Sequence, residues 1–530
     1  MIEPMRANDP VRALAWWTEL AALVPALVIA MLGMGLVLYL TRNGAGASGD
    51  SAWYIMGAQN LLLGNGFSRF SGGGELRAIT QFPPGLSVAL AGLSGAGMAT
   101  FAAARLFNTL LFGANLLLTA LLIYRASRSG WAMILGSVLV LTSSKQIEIH
   151  SWIVAEPLYI FLSLIVAHLI ALGISSSSRR VLGLAGGLVA VAILTRYVGF
   201  TLLAAGALCI LLLGQRNANW RLRSAGLFVL LGLVPVVWWV AISVSDGGSI
   251  ANRKVLFHFI NPDLMRAYQA EVVSWVFGRQ LPLPWRPRAI LAVLIASIGP
   301  LYFLVSRIRS AGLGRPRGDA YSEVLPWFLG TYLLAYIGVL TANSLLLDAG
   351  TPPAAAARYM APAYVALIIL STVTTTGLVR QVQVTKLPAT FALSLGLLLI
   401  SLNFDQSIDL LGEPGLSLGY VMIRSNEPEL VKALNELDPD VPIISNNPET
   451  VFILTERPAY ILPIRVDSQT QTERSDYQQN IDAHRRRLKS GAVVVIFGNP
   501  DELALAAMND LNVSPLLGFS TAMFYKSGEG

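Results

Sequence analysis

Few ionisable side chains lie beside the long apolar runs of this 530-residue sequence, and four of them have types suited to chemistry at a phosphate. Asp50 follows the first apolar run, in NGAGASGDSAWYIMGAQNLLLGNGFS, and Glu156 precedes Pro157 in HSWIVAEPLYIF. Arg196 lies in AILTRYVGF between two apolar runs, and Arg358 lies in PPAAAARYMAPAY at the start of another. A carboxylate can take a proton from a hydroxyl group. A guanidinium offers phosphate a planar fork of donors and keeps its charge.

Each of these residues also has an ordinary structural interpretation. Asp50 can be a solvated loop acid or the N-cap of the helix that follows it. Glu156 can be a first-turn acid that the helix dipole stabilises, and the two arginines can reach back to the membrane interface. His150, shortly before Glu156, is either its partner or an ordinary interfacial histidine. Because charges near hydrocarbon are costly, such residues usually face a cavity or an ion partner.

The composition indicates a polytopic membrane protein. The chain is 54% hydrophobic and only 13% charged, with a mean hydropathy of +0.59, whereas a soluble chain is about 25% charged. The net charge of +7 could suggest a nucleic-acid partner, but the basic residues form short clusters between apolar runs, as in cytoplasmic loops. One cysteine, Cys209, excludes a disulfide or a cysteine-based metal site within the chain. The first apolar run has no small-residue cleavage site, which favours a retained helix.

The lengths of the apolar runs predict about eleven spans of roughly 17–25 residues each. The predicted spans are 15–40, 98–124, 131–144, 152–173, 181–195, 198–214, 225–244, 288–306, 324–343, 361–379 and 388–403. The segment 84–97 is short and glycine-rich, so we predict an interfacial or re-entrant helix there.

Loop charge supports this count. With 84–97 left out as a span, the short arginine-rich loops all fall on one side, which the positive-inside rule makes cytoplasmic. This places the N-terminus in the cytoplasm. It also makes the segments 41–97, 245–287 and 344–358 loops on the outer face of the cell membrane. Everything after residue 404 is also predicted to lie outside.

The C-terminal segment, 404–530, is predicted to be a separate extracytoplasmic domain. Strand-like runs such as VPIIS, AYILPI, AVVVIFG and AMFYK alternate with helical runs such as NPETVFILTE and PDELALAAMNDL. This alternation is typical of a small parallel α/β domain. The segment has no glycine-rich phosphate-binding fingerprint.

The order of the motifs resembles the GT-C membrane glycosyltransferases. GDSAWYIMGAQNLLLGNGFS, TQFPPGLSVALAGL and AARLFNTLLFGANLLLTALLIYR resemble the start of that superfamily, whose members include aminoarabinose transferases of lipid A and protein O-mannosyltransferases. AEPLYIFLSL, LTRYVGF and RYMAPAYVALIIL are similar to later helices, and VPIISNNPETVFILTERPAYILP to the outer C-terminal domain of bacterial members. The resemblance covers nearly the whole chain and implies a transmembrane catalytic domain over 1–403.

The resemblance implies an inverting transfer of a monosaccharide from a polyprenyl-phosphate donor to a lipid or glycan acceptor, less readily a protein. Asp50 matches the first-loop acid, the catalytic base. Glu156 matches the acid of the EP motif in the same cavity and is the second catalytic residue that the resemblance implies. Arg196 and Arg358 match arginines that meet the lipid phosphate. Where many relatives have a second acid after the first, this chain has Ser51.

Further residues are candidates for the substrate cavity, and the loop 245–287 is a candidate gate or acceptor contact. The cavity candidates are Tyr54, Arg77, Gln81, His150, Tyr197, Arg253 and Lys254, and the loop also carries Asn252, Trp275 and Trp285. No cofactor is predicted, since the sequence supports no metal site, although a divalent metal is compatible with it.

Two other functions stay open on the sequence. A flippase for lipid-linked sugars would also carry charges near the membrane, but it would usually show internal repeats or helices broken at mid-membrane. A ligase would move a whole glycan from a lipid diphosphate carrier.

Overall fold

The computed structural model describes most of the chain. The described residues are 10–70, 75–245, 257–277, 284, 320–347, 352–381, 387–412, 419, 421–466 and 473–528. The predicted span 288–306 and the loop residues Asn252, Arg253, Lys254 and Trp285 lie outside them.

The chain up to residue 245 is almost entirely helical apart from one short hairpin. Its helices are α1 (Pro10–Leu40), α2 (Gly49–Leu62), α3 (Gly85–Gly95), α4 (Thr100–Ser127), α5 (Gly130–Leu141), α6 (Ser144–Ser151), α7 (Glu156–Ser175), α8 (Arg179–Ile193), α9 (Phe200–Leu213) and α10 (Ala218–Ser245). A 3₁₀ turn, Tyr197–Gly199, joins α8 to α9, and the strands β1 (Ser68–Phe70) and β2 (Leu76–Ala78) pair antiparallel between α2 and α3.

The second half combines further helices with a C-terminal sheet. The helices are α11 (Pro262–Phe277), α12 (Ala320–Leu346), α13 (Ala355–Gln381), α14 (Leu387–Gly412), α15 (Val421–Asn426), α16 (Pro428–Glu436), α17 (Pro448–Thr455), α18 (Tyr477–Lys489) and α19 (Glu502–Leu511). The strands are β3 (Ile443–Ser445), β4 (Tyr460–Ile461), β5 (Val493–Phe497), β6 (Val513–Gly518) and β7 (Ala522–Ser527).

Six of the described helices are long and apolar enough to cross a membrane. They are Leu23–Leu40 within α1, and α4, α7, α10, α12 and α13. The predicted span 131–144 corresponds to α5 and α6, which together form one bent pair with an angle of 59°. The predicted spans 181–195 and 198–214 correspond to the shorter helices α8 and α9, and 388–403 lies within α14. The fold is therefore a multi-pass helical bundle, and the total of eleven spans stays a prediction.

The segment 84–97 forms α3, a helix of 11 residues. At 1.5 Å per residue, it is about 16 Å long, roughly half the hydrocarbon thickness of a bilayer. The prediction that this segment does not span the membrane agrees with its length.

The C-terminal sheet has the order β4-β3-β5-β7-β6. Strand β3 pairs parallel with β4 and β5, as predicted, but β7 pairs antiparallel with both β5 and β6. The prediction of a wholly parallel sheet is therefore wrong, because β6 follows α19 directly and returns through a hairpin to β7. Strand β5 is buried on both faces, since Val494 packs against one cluster and Val495 against the other, which explains its uninterrupted apolar run.

The sheet region lies against α2 and the hairpin that follows it. Trp53 Nε1 of α2 donates a hydrogen bond to Glu449 Oε1 of α17 over 3.0 Å. The guanidinium carbon of Arg69 lies 3.7 Å from the centre of the Trp53 ring. Gln59 Nε2 also donates to Glu456 Oε2 over 3.1 Å, so the C-terminal region contacts the same helix that carries Asp50.

Close approach of helix backbones shapes the bundle. A Cβ atom added at Gly186 of α8 would lie 2.5 Å from the carbonyl oxygen of Phe228 in α10, whereas one added at Gly187 would meet no atom within 4 Å. Small residues permit such contacts between membrane helices.

We therefore expect Gly186→Ala to destabilise the protein, since the α10 backbone cannot move aside without disturbing its own packing. The cost should be about 1–3 kcal/mol, as for other overpacked sites. Thermal unfolding in detergent would measure it, with Gly187→Ala as the control that leaves the midpoint unchanged or raises it. Equal behaviour of the two variants would contradict the close α8–α10 contact.

Candidate active site

Four charged side chains from four separate segments meet at one end of the bundle. Asp50 is in the first turn of α2, Glu156 begins α7, Arg196 precedes the 3₁₀ turn, and Arg358 is in the first turn of α13. The sequence predicted all four as site residues, and the structure brings them together.

Arg358 connects the two acids. Its Nε donates to Glu156 Oε1 over 2.8 Å, while its Nη1 and Nη2 each donate to Asp50 Oδ2 over 3.0 Å. A planar guanidinium can make these contacts at the same time because its donors point in fixed, divergent directions.

Glu156 is the buried centre of this group. Its side chain is 0% exposed, against 37% for Asp50 and 26% for Arg358, and its Oε1 also forms an ion pair with Arg196. Within the described chain, Glu156 Oε2 is buried without a hydrogen-bond partner. A buried carboxylate needs such pairing, since desolvation of an isolated charge is expensive.

Backbone and hydroxyl contacts align α2 with the start of α7. The Ser51 hydroxyl donates to the Ile153 carbonyl over 2.7 Å and accepts from the Ser48 backbone N–H over 2.9 Å. Gly46 exchanges backbone bonds of 2.7 and 2.8 Å with Ser151 and Ile153. Ser48 is the residue at the N-cap position of α2, so Asp50 is not the cap and its carboxylate can turn towards Arg358. Ser51, where a second acid was expected by resemblance, thus holds the Asp50 turn against the segment that leads to Glu156.

Tyrosine side chains lie beside the charged group. The guanidinium carbon of Arg196 lies 5.7 Å from the centre of the Tyr359 ring, and the buried Tyr336 hydroxyl donates to the Tyr359 carbonyl over 2.8 Å. Tyr54, one helical turn after Asp50, is 4% exposed, and burial together with the charges of Asp50 and Glu156 raises its pKa above the ordinary value. Sequence reasoning selected Tyr54 but missed Tyr336 and Tyr359, although Tyr359 directly follows Arg358.

His150 is not the partner of Glu156, contrary to one of the predicted alternatives. Its Nδ1 bonds to the Gln146 carbonyl over 2.6 Å, so the ring donates there, and its Nε2 accepts from Asn115 Nδ2 over 3.0 Å. The Asn115 amide also donates to the Pro157 carbonyl over 3.1 Å. Asn115 therefore links His150 to the backbone of the first turn of α7 by hydrogen bonds.

The other cavity candidates occupy different positions. Arg77 is on β2, opposite Arg69 in the hairpin, and its side chain is 69% exposed. Its Nη2 lies 3.5 Å from Glu75 Oε2. Gln81 is half-buried in the segment before α3, and none of the contacts described for the four-residue group involves it. Tyr197 adjoins Arg196, and its hydroxyl accepts from Trp239 Nε1 over 3.4 Å. In the described residues no group of three or more histidine, cysteine, aspartate or glutamate side chains is arranged to hold a metal ion.

Solved structures with a similar fold include ArnT, an oligosaccharyltransferase and an arabinofuranosyltransferase. ArnT from Cupriavidus metallidurans, bound to undecaprenyl phosphate, matches with a TM-score of 0.56 and 14% identity over 94% of this chain and 97% of its own. The archaeal oligosaccharyltransferase AglB from Archaeoglobus fulgidus, in complex with an inhibitory peptide and a dolichol-phosphate, matches with a TM-score of 0.53 and 10% identity over 91% of this chain and 70% of its own. The arabinofuranosyltransferase AftD from Mycobacteria has a TM-score of 0.53 and 14% identity, covering 94% of this chain and 41% of its own.

The chain thus shares its overall fold with these transferases, which agrees with the GT-C resemblance of its motifs, and six of its described helices are long and apolar enough for a multi-pass membrane protein. No protein-family model matches the sequence, and no curated protein does so either.

The geometry predicts that Glu156→Ala strongly destabilises the protein, because the substitution leaves two mostly buried arginines without their shared acid. Loss of one partner of a buried ion pair costs about 3–5 kcal/mol. Glu75→Ala is the matched control, since the Glu75–Arg77 pair is exposed and such pairs contribute about 0–1 kcal/mol. Similar unfolding midpoints for the two variants would contradict the central position of Glu156.

Proposed function

We propose that the chain is an inverting glycosyltransferase that moves a monosaccharide from a polyprenyl-phosphate donor to an acceptor hydroxyl. The observation that carries this proposal is the Asp50–Arg358–Glu156–Arg196 group at one end of a GT-C bundle. It combines a partly exposed carboxylate with two arginines, which are the groups that activation of a hydroxyl and departure of a phosphate require.

In this reaction Asp50 is the catalytic base. Its carboxylate takes the proton of the acceptor hydroxyl while the acceptor oxygen bonds to the anomeric carbon from the face opposite the phosphate. The bond between the anomeric carbon and the phosphate oxygen breaks, and polyprenyl phosphate leaves with that electron pair. With 37% of its side chain exposed, Asp50 is the more accessible of the two acids to an acceptor.

Arg196 and Arg358 bind the phosphate and stabilise the charge that grows on it. Glu156 is fully buried and bonded to both arginines, so we assign it a positioning role: it sets the direction of the two guanidinium groups. Arg358 is shared between Asp50 and Glu156 before substrate binds. When a phosphate accepts the hydrogen bonds that Arg358 donates to Asp50, the Asp50 carboxylate becomes free to accept a proton from a hydroxyl.

Two of the structural neighbours support a lipid-linked donor. ArnT was solved with undecaprenyl phosphate and AglB with a dolichol-phosphate, and each ligand is a phosphate on a long isoprenoid chain. Identities of 10–14% carry no information about which sugar or acceptor this chain uses. We propose a lipid or glycan acceptor, and the loop charges favour its location at the outer face of the cell membrane.

The C-terminal region, from about residue 404, is proposed to act in acceptor docking or in support of α2. Helix α14 continues to Gly412, so the domain boundary that we propose lies within or just after this helix. The Trp53–Glu449 bond supports the second role, since it links α17 to the helix of Asp50.

Asp50→Asn should reduce sugar transfer by a factor of about 10² to 10⁴, the usual contribution of a general base. The protein should stay folded, because Arg358 keeps its bond to Glu156. The measurement is transfer from a defined polyprenyl-phosphate sugar in proteoliposomes, with the unfolding midpoint as the control. Full activity of Asp50→Asn would show that Asp50 is not the base.

The same assay separates the competing functions. Movement of the lipid-linked sugar across the vesicle membrane without any transfer would favour a flippase, and a requirement for a diphosphate-linked glycan would favour a ligase.

Arg358→Ala should weaken donor binding by roughly 10- to 100-fold, the effect of losing a charge-assisted hydrogen bond to phosphate. Titration of the protein with polyprenyl phosphate gives the dissociation constant directly. Arg42→Ala is the matched control, because Arg42 is exposed and packs over Tyr39, and none of the contacts described for the four-residue group involves it. Unchanged donor affinity in Arg358→Ala would return this arginine to a purely structural role.

A further inference from the structure

A polar cavity lies at the opposite end of the bundle from the candidate active site. Its volume is about 670 Å³, and its lining residues are Ser177, Arg179, Arg216, Asn217, Asn219 and Trp220. The cavity is open to its surroundings on one side, and its volume is in the range of small-molecule pockets, roughly 300–1,000 Å³.

The positions of α7 and α8 separate this cavity from the candidate active site. Helix α7 begins at Glu156 and ends at Ser175, just before the cavity, and α8 returns from Arg179 to the segment that carries Arg196. A helix of 20 residues is about 30 Å long, which is the hydrocarbon thickness of a bilayer. The cavity is therefore at the other membrane boundary, the one that loop charge predicts to be cytoplasmic.

The two loops that form the cavity carry only positive charge. Segments 175–180 and 214–224 contain five arginines and no aspartate or glutamate; the arginines are Arg179, Arg180, Arg216, Arg221 and Arg223. Arg179 Nε donates to the Ser224 hydroxyl over 3.4 Å, and its guanidinium carbon lies 5.9 Å from the centre of the Trp220 ring. Arg221 Nε donates to the Arg216 carbonyl over 3.1 Å. The partners described for Arg179 are thus neutral, and no acidic partner is described for Arg216.

The start of α8 adds to the attraction for an anion. Its first-turn N–H groups carry the positive end of the helix dipole, and Arg179 is the first residue of the helix. The Ser178 hydroxyl accepts from one of these groups, the Val181 N–H, over 3.4 Å. The Asn219 amide supplies further donors beside the arginines. The cavity therefore has the features of a phosphate site: two cations, neutral hydrogen-bond donors and a helix N-terminus.

The three helices next to the cavity carry exposed apolar side chains near these loops in sequence. Leu184 on α8 is 58% exposed, Leu212 at the end of α9 is 47% exposed, and Leu222 in α10 is 63% exposed. Such surfaces suit acyl chains, and basic pockets between membrane helices bind lipid head groups. A free phosphate ion would use the arginines alone.

We propose that this cavity binds the phosphate-bearing head group of an anionic membrane lipid. Arg179 and Arg216 contact the phosphate, and the leucines of α8, α9 and α10 contact the acyl chains. The proposal does not depend on the reaction at the other end of the bundle.

The test compares lipid retention by the full chain in nanodiscs that contain a mixture of phosphatidylglycerol and phosphatidylcholine. After extraction into detergent, native mass spectrometry counts each lipid that stays bound. The wild type should retain phosphatidylglycerol preferentially. Arg179→Gln/Arg216→Gln should lower its affinity by about fivefold for each arginine, or about 25-fold in all.

Two controls keep the result specific. Arg180→Gln/Arg223→Gln removes the same charge from residues that do not line the cavity and should leave retention nearly unchanged. Arg179→Lys/Arg216→Lys keeps the charge and should retain most of the binding, even if the glutamine variant fails to fold. An equal loss of phosphatidylglycerol retention in both glutamine variants would show that retention depends on general surface charge, and it would overturn the proposal. Displacement of the lipid by millimolar inorganic phosphate, without a preference between the two lipids, would assign the cavity to free phosphate and overturn it as well.

Discussion

The buried Glu156 carboxylate is the constraint on which this end of the bundle depends. A fully buried charge must be paired, and Glu156 meets this requirement with Arg196 and Arg358, which come from two other segments of the chain. Arg358 then reaches Asp50 on α2, so one ionic group joins the beginnings of α2, α7 and α13 to the segment after α8. The proposed chemistry uses the outer members of this group, and its innermost member keeps them in place.

Support for Asp50 comes from two directions. On the bundle side, the Ser51 hydroxyl ties the first turn of α2 to the backbone just before Glu156. On the other side, Trp53 in the next turn bonds to Glu449 and stacks with Arg69, which links α2 to the C-terminal sheet region. The short helix that carries the proposed base is therefore held at both faces. This arrangement gives the C-terminal region a physical role even if it never contacts an acceptor.

The sequence was sufficient to select the charged residues because so few charges are tolerated near hydrocarbon. Asp50, Glu156, Arg196 and Arg358 stand out against their apolar surroundings, and the motif order led to the GT-C fold that the structural neighbours share. Pairings between distant segments were not predictable in the same way. His150 is near Glu156 in sequence, yet it bonds to Asn115 of α4, and Tyr336 of α12 reaches the site only through long-range packing. Strand β6 also escaped detection, because SPLLG in an exposed edge strand lacks the alternation that marks a half-buried one.

The most direct test of the central claim is an experimental structure of the protein with bound polyprenyl phosphate. We expect phosphate density in contact with the guanidinium groups of Arg196 and Arg358, with the bonds between Glu156 and both arginines intact and the Asp50 carboxylate turned towards open space. Phosphate density away from both arginines, for example only in the cavity at the end of α7 and α8, would contradict it.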